Sequence, residues 1–375
     1  MTDTTQTVQG IVDSNCGKLL QEMKNAHPNS DVGVSVALYY PGNTGVPGFF
    51  KYGLAGPGIE ITNETVYAIG SVTKLFTATL AAYLNVKNII GQLDQTLVGQ
   101  YLANKDCSPS GVSGSYWNNV TFAEFATQTS GMPDEADGPP YSDQLFADEP
   151  PSCPQLSWWN ENETSFADDQ GYWIYSSAGF VTLGFAVAAA AAAGGLTGGY
   201  TALLESIITA QIGMPNTFAA DDVPPNAVLA QGYNANSKQV PITAAADLKS
   251  SAQDMLAWLD AVYQAMKLPA AGASLTPLQQ ALANTTTIWI ANPENPDKQP
   301  TNFAMGLGWQ IPTIGSSQVL TKNGVTGKGG CSCWVGLTRY HSTGPVAGIA
   351  LMTNQTGVNP DPTAHTILQE IIAIG

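Results

Sequence analysis

The sequence predicts an α+β fold: an antiparallel sheet flanked by helices and built from both ends of the chain, with a mainly helical domain inserted. Three observations predict it. Residues 32–39 (VGVSVALY) and 49–54 alternate or run apolar in short stretches, as strands do. Between residues 176 and 284 the apolar spacing takes a helical period. Strand patterns then return at 304–311, 317–321, 331–339 and 346–353. Strands, helices and strands again read most simply as one αβ domain, residues 1–70 plus 285–375, interrupted by a helical domain, 71–284.

The elements follow in order. Residues 8–26 have the spacing of an amphipathic helix. A Pro/Gly loop joins the first two strands into a hairpin. After the apolar stretch Val66–Ile69 the period changes at Ser71. Val72, Leu75, Phe76, Leu80, Tyr83 and Leu84 share one face of a helix expected to stop near Gly91. Residues 105–170 are rich in Pro, Gly, Asp and Trp, too long for an ordinary connection, and are expected to form a lid or a partly structured subdomain. Helices are expected at 176–193, 200–211, 250–267, 276–284 and 361–373. The apolar run Gly179–Leu196, largely Ala and Gly, reads as a buried helix and not as an integral membrane segment.

Composition excludes several functions. Thirteen basic against 29 acidic residues give a net charge of −16, which repels phosphate backbones and anionic lipid. No nucleic-acid partner is expected. The three histidines are scattered without ligand spacing, so no metal and no cofactor are expected. Of five cysteines, Cys107 and Cys153 lie in polar loop sequence and form a candidate disulfide. Cys331 and Cys333, two apart on a strand, point to one face. The first ten residues show no signal-peptide pattern, while the uncharged polar surface suits a periplasmic or secreted protein. The oligomeric state is left open.

Three segments can carry chemistry. In Ser71-Val72-Thr73-Lys74, a helix starting at the serine sets hydroxyl and amine on one face. The hydroxyl then sits at a helix N-terminus, which favours a developing oxyanion. On these four residues alone, an N-capping serine beside a solvated lysine is the commoner outcome. Tyr175-Ser176-Ser177 puts a tyrosine just before an Ala-rich helix, as a structural aromatic or as a base whose proton is loosened by cations. Lys322-Asn323-Gly324-Val325-Thr326-Gly327 precedes an apolar strand; its spacing fails as a phosphate loop and suits a Gly-rich hairpin.

Taken together and in this order, the chain resembles the class C β-lactamase and penicillin-binding-protein-like serine hydrolases. That group includes β-lactamases, D-Ala-D-Ala carboxypeptidases, D-amino-acid amidases and family VIII esterases. The resemblance rests on five landmarks: Ala68–Thr77 around S-x-x-K, Thr129-Ser130-Gly131-Met132-Pro133, Gly213–Thr217, Gly306-Leu307-Gly308-Trp309 and Lys322–Gly327. It implies a β-lactamase/transpeptidase-like fold. It implies Ser71 as acylated nucleophile and Tyr175 as general base. Lys74 would hold Tyr175 ionised or take the serine proton itself, and Lys322 would support Tyr175 and dock a substrate carboxylate. The oxyanion hole would be the backbone N–H groups of Ser71 and Val325. Ser177, Asn323, Gly324 and Val325 would contact the substrate, a small molecule or peptide.

Two residues depart from the family pattern. Ser177 stands where an Asn commonly binds the acylamino group, and Asn323 where Thr or Ser would bind a carboxylate. The expected activity is acyl-enzyme hydrolysis of an amide of β-lactam or D-amino-acid peptide type. The alternatives are a carboxylesterase or acyltransferase acting on neutral esters, and a silent binding protein on the same fold. No Lys or Arg occurs between Lys105 and Lys238, while that stretch holds 15 Asp and Glu. Such a wall disfavours anionic substrates and tends to keep Lys74 and Tyr175 protonated. Tyr116, Trp117, Trp158, Trp159 and Trp173 are candidates for an apolar acyl pocket; core packing is the plainer reading for any single one, and the Trp158-Trp159 pair is open between the two.

Overall fold

The structure is a computed structural model that describes residues 2–41, 48–134, 150–219, 223–233, 244–326 and 330–374. The chain begins with helix α1 (Thr2–Ala26) and strands β1 (Gly33–Tyr39), β2 (Phe49–Gly56), β3 (Ile59–Glu60) and β4 (Val66–Ala68). Helices α2 (Thr73–Val86), α3 (Phe122–Ala126), α4 (Cys153–Glu161), α5 (Glu163–Asp169), α6 (Ser177–Ala193), α7 (Gly199–Leu203) and α8 (Ala210–Ile212) follow. Strand β5 (Lys249–Ser251) leads to α9 (Ala252–Lys267) and α10 (Pro277–Thr285). The chain closes with β6 (Phe303–Met305), β7 (Gln310–Ile314), β8 (Ser317–Val325), β9 (Ser332–Thr338), β10 (Gly348–Thr353) and α11 (Asp361–Ile374).

Eight strands form one antiparallel sheet in the order β3-β2-β1-β10-β9-β8-β7-β6. The two ends of the chain meet at its centre, where Val36 pairs with Leu351. Helices cover both faces, which is why β1, β9 and β10 are buried along their whole length. Alternate residues divide between two cores. Val34, Val36 and Leu38 pack with Leu19 of α1 and Leu368 of α11, while Ala37 and Tyr39 join Phe76, Phe180 and Trp258 of α2, α6 and α9.

The α+β reading and the sheet shared by both termini hold. The apolar run becomes α6, whose side chains are buried nearly all round, from Ala178 to Ala191. Among the described residues no helix is long and apolar enough to cross a membrane. Helix α2 ends earlier than expected, at Val86, because Asn88 turns the backbone to φ +54. The strand expected over 304–311 is two strands, β6 and β7, separated by a turn in which Gly308 takes φ +77. The region 105–170 carries three short helices, α3 to α5; its residues 135–149 lie outside the described residues. Thr121 and Ser152 start α3 and α4 with capping boxes, a local signal obscured by the surrounding Pro and Gly. The Cys107–Cys153 disulfide is present, with Cα atoms 5.2 Å apart, and ties the loop after Leu102 to the start of α4. Cys16, Cys331 and Cys333 are buried thiols outside this disulfide.

Candidate active site

Ser71 sits on a single 3-10 turn, Gly70–Val72, between β4 and α2. Thr73 holds the turn from both sides: its hydroxyl donates to the Gly70 carbonyl at 2.6 Å and accepts from the Leu248 N–H at 3.1 Å. Ser71 caps nothing, since no side chain caps α2. The commoner four-residue reading therefore fails, and it fails for Lys74 as well, which is fully buried.

The Lys74 ammonium lies 2.9 Å from the Ser71 Oγ, 3.0 Å from the Ala245 carbonyl and 3.2 Å from the Ser177 Oγ. Burial lowers its pKa to about 7, against the opposing pull of Asp134. This corrects the expectation that acidic surroundings keep it protonated. Desolvation outweighs a carboxylate that also receives the Ser177 N–H, at 2.7 Å.

Tyr175 donates its phenolic hydrogen to the Ser71 Oγ. Its backbone is clamped by the segment that carries the T-S-G-M-P landmark. Gln128, at φ +64, accepts from the Ile174 N–H through its carbonyl (2.8 Å) and from the Ser176 N–H through its side chain (2.6 Å). Ser176 donates to the Pro133 carbonyl at 2.7 Å and caps α6 by accepting from the Gly179 N–H at 2.7 Å. Gln128 and Asp134 carry no recognisable signal, and sequence reasoning missed both.

Lys322 projects from β8, 2 % exposed, with its ammonium 4.8 Å from the Tyr175 ring centroid. The Lys74 ammonium is also 4.8 Å from that centroid. Burial lowers the Lys322 pKa, opposed by its charge interaction and hydrogen bond with Tyr175 and by the charge of Asp361. Asn323 is exposed and donates to the Asp361 carboxylate at 2.9 Å. Asp361 opens α11 and was likewise missed, because 38 residues separate it from Asn323.

The serine turn and β8 meet backbone to backbone. A Cβ on Gly324 would lie 2.8 Å from the Ser71 nitrogen, and one on Gly70, at φ +53, would lie 2.6 Å from the Val325 nitrogen. Only glycine admits this approach, which brings the two candidate oxyanion donors to one place. Ser71, Tyr175, Ser177, Asn323, Gly324 and Val325 line a cavity of about 360 Å³, with the Val325 side chain 52 % exposed at its rim. Gly327, the last residue of the third segment, lies outside the described residues. A larger cleft of about 550 Å³, lined by Lys51, Glu64, Asn216 and Gln253 among others, contains none of these groups.

The aromatic residues do not wall the cavity. Tyr116, Trp117 and Trp159 are core residues packed around Phe166 and Phe185. Trp158 leans on Phe166 at 5.3 Å, and Trp173 meets Phe303 edge-on at 5.1 Å. Packing, the plainer reading, accounts for all five.

The chain is similar to known proteins. Residues 24–373 match the family model described as Beta-lactamase. The chain belongs to the β-lactamase family. It is thus a member of a family of serine hydrolases. A β-lactamase of Providencia stuartii is 28 % identical over 268 residues, covering 68 % of this chain and 60 % of that protein. A β-lactamase of Pseudomonas fluorescens is 25 % identical over 317 residues, covering 81 % of this chain and 74 % of that protein. The crystal structure of a class C β-lactamase from Rhodobacter sphaeroides shares the fold, with TM-score 0.71 and 20 % identity over 96 % of this chain and 99 % of that one.

Proposed function

We propose that the protein hydrolyses a small acyl compound through an acyl-enzyme on Ser71, by the chemistry of a class C β-lactamase. One observation carries the reading: the Ser71 hydroxyl is held between the Tyr175 hydroxyl and the Lys74 amine. A serine needs such a base to become a nucleophile at neutral pH. With a pKa of about 7, Lys74 is part-neutral there, and the Tyr175–Lys74 pair accepts the serine proton as a unit.

Ser71 Oγ attacks the carbonyl carbon, and the oxyanion forms against the N–H groups of Ser71 and Val325. The proton taken from Ser71 passes to the leaving nitrogen as the C–N bond breaks. Tyr175 then draws a proton from water as it attacks the ester carbonyl, and the proton is handed to the Ser71 oxygen as the C–O bond breaks and the acid leaves. Lys322 stabilises Tyr175 in its charged form. The favoured bond is an amide of β-lactam or D-amino-acid peptide type. A second reading, hydrolysis of neutral esters, is favoured by a specific observation. The Ser177 Oγ accepts from Lys74 and Asn323 gives an amide N–H to Asp361, so part of the capacity each would use on an acylamino group or a carboxylate is already taken within the protein. We further place the reaction in the periplasm or outside the cell, a reading supported by the Cys107–Cys153 disulfide.

The test is intact mass after incubation with a penicillin, for wild type and Ser71→Ala, with the drug followed in the same tube. A Ser71-dependent adduct or drug hydrolysis is expected. Intact drug and no adduct, with neutral esters turned over, would select the second reading.

A further inference from the structure

Three features beside the cavity attract anions. Lys322 is a buried cation under Tyr175. Asn323 presents an amide donor at the cavity wall. Helix α11, 14 residues long, points its N-terminus at the same place, and a helix N-terminus draws negative charge. All three converge on one carboxylate, and that carboxylate belongs to the protein. Asp361 accepts the Asn323 amide at 2.9 Å, opposes the charge of Lys322 and fills the first turn of α11.

We propose that Asp361 is a specificity-determining residue: it occupies the place a substrate carboxylate would take, so the site accepts acyl donors that are neutral or cationic at that end. This rests on the acyl-enzyme reading of Ser71 and names its substrate class. For a lactam, the carboxyl ester becomes a better substrate than the free acid.

The surrounding charges agree. The other buried lysine, Lys74, also has a carboxylate acting on it, Asp134. An arginine, which clamps carboxylates with two parallel hydrogen bonds, is the usual alternative. The chain has a single arginine, Arg339, and it is bound to the side chain of Gln318. Gln318 lies five residues before Asn323 on β8, about 17 Å away along the strand. The helical segments that complete the site come from the stretch without Lys or Arg.

The test uses three alkyl fluorophosphonates that differ only at the chain end: carboxylate, methyl and ammonium. Each labels the serine as Ser71 Oγ bonds to phosphorus, fluoride leaves and the serine proton passes through the base to solvent. Labelling rates are read by intact mass for wild type, Ser71→Ala and Asp361→Asn. Wild type should react with the carboxylate probe roughly tenfold more slowly than with the methyl probe, and with the ammonium probe at least as fast. Asp361→Asn should narrow the carboxylate-to-methyl ratio by about the same factor. Equal wild-type rates, a carboxylate probe that reacts fastest, or an unchanged ratio in a folded Asp361→Asn would overturn the proposal alone. If no probe forms a Ser71-dependent adduct, the acyl-enzyme reading falls and takes this one with it. The ordering of the three probes on wild type decides the matter even if the variant does not fold.

Discussion

The two walls of the cavity each bury a lysine, and the lysines keep different company. On the α2 wall, Lys74 touches two hydroxyls and a carbonyl, and the carboxylate that acts on it, Asp134, is bound to the Ser177 N–H. On the β8 wall, Lys322 faces the Tyr175 ring and Asp361. Burial lowers both pKa values, but Lys322 has Tyr175 and Asp361 to oppose the shift. Desolvation disfavours the charge on each lysine, and the groups beside it decide how far that goes. On the proposed mechanism Lys74 moves a proton and Lys322 supports Tyr175.

The variants that break this comparison range from total to slight. Ser71→Ala should abolish the covalent adduct seen by intact mass, because it removes the oxygen that is acylated. Tyr175→Phe should lower kcat by roughly 10³-fold, since the phenol is the link between the two lysines. Full activity in Tyr175→Phe would reassign the base to Lys74 alone. Lys74→Ala should cost about 10³-fold and Lys322→Ala about 10-fold to 100-fold in kcat/KM. Equal losses would mean that the walls do not differ in role.

The pH dependence sharpens the same contrast. Acylation should rise as pH climbs through about 7, where Lys74 loses its proton. The effect on stability has the same sign. The folded pKa lies below the unfolded value, so between about 7 and the ordinary lysine range the unfolded chain binds more protons. Stability from this residue therefore increases with pH across that window and is flat below it. Melting of wild type against Lys74→Met should show the difference moving in favour of wild type from pH 7 to 10. A difference independent of pH would mean that Lys74 stays charged. The slightest effect is expected at the rim. Val325→Ala should change kcat/KM by less than about threefold, because the oxyanion site uses its backbone N–H alone.

The sequence by itself determined the order of elements and the sheet drawn from both termini, and its resemblance to a family marked Ser71, Lys74, Tyr175 and Lys322 as candidates. Local signals alone were not enough: a three-residue spacing on a helix, a tyrosine before an Ala-rich run and a Gly-rich segment read equally well as a cap, a structural aromatic and a hairpin. Tertiary structure decided what those groups are chemically. The Lys74 pKa falls to about 7 because Lys74 is fully buried, with Ala245 and Ser177, far away in the chain, closing over it. Tyr116, Trp117 and Trp159 are core and not pocket because α4 and α5 pack Trp159 and Phe166 inward. Asp361 reaches Asn323 only because α11 starts beside β8. Periodicity and spacing record which residues lie near one another along an element; charge state and substrate preference depend on burial and on partners contributed by other elements.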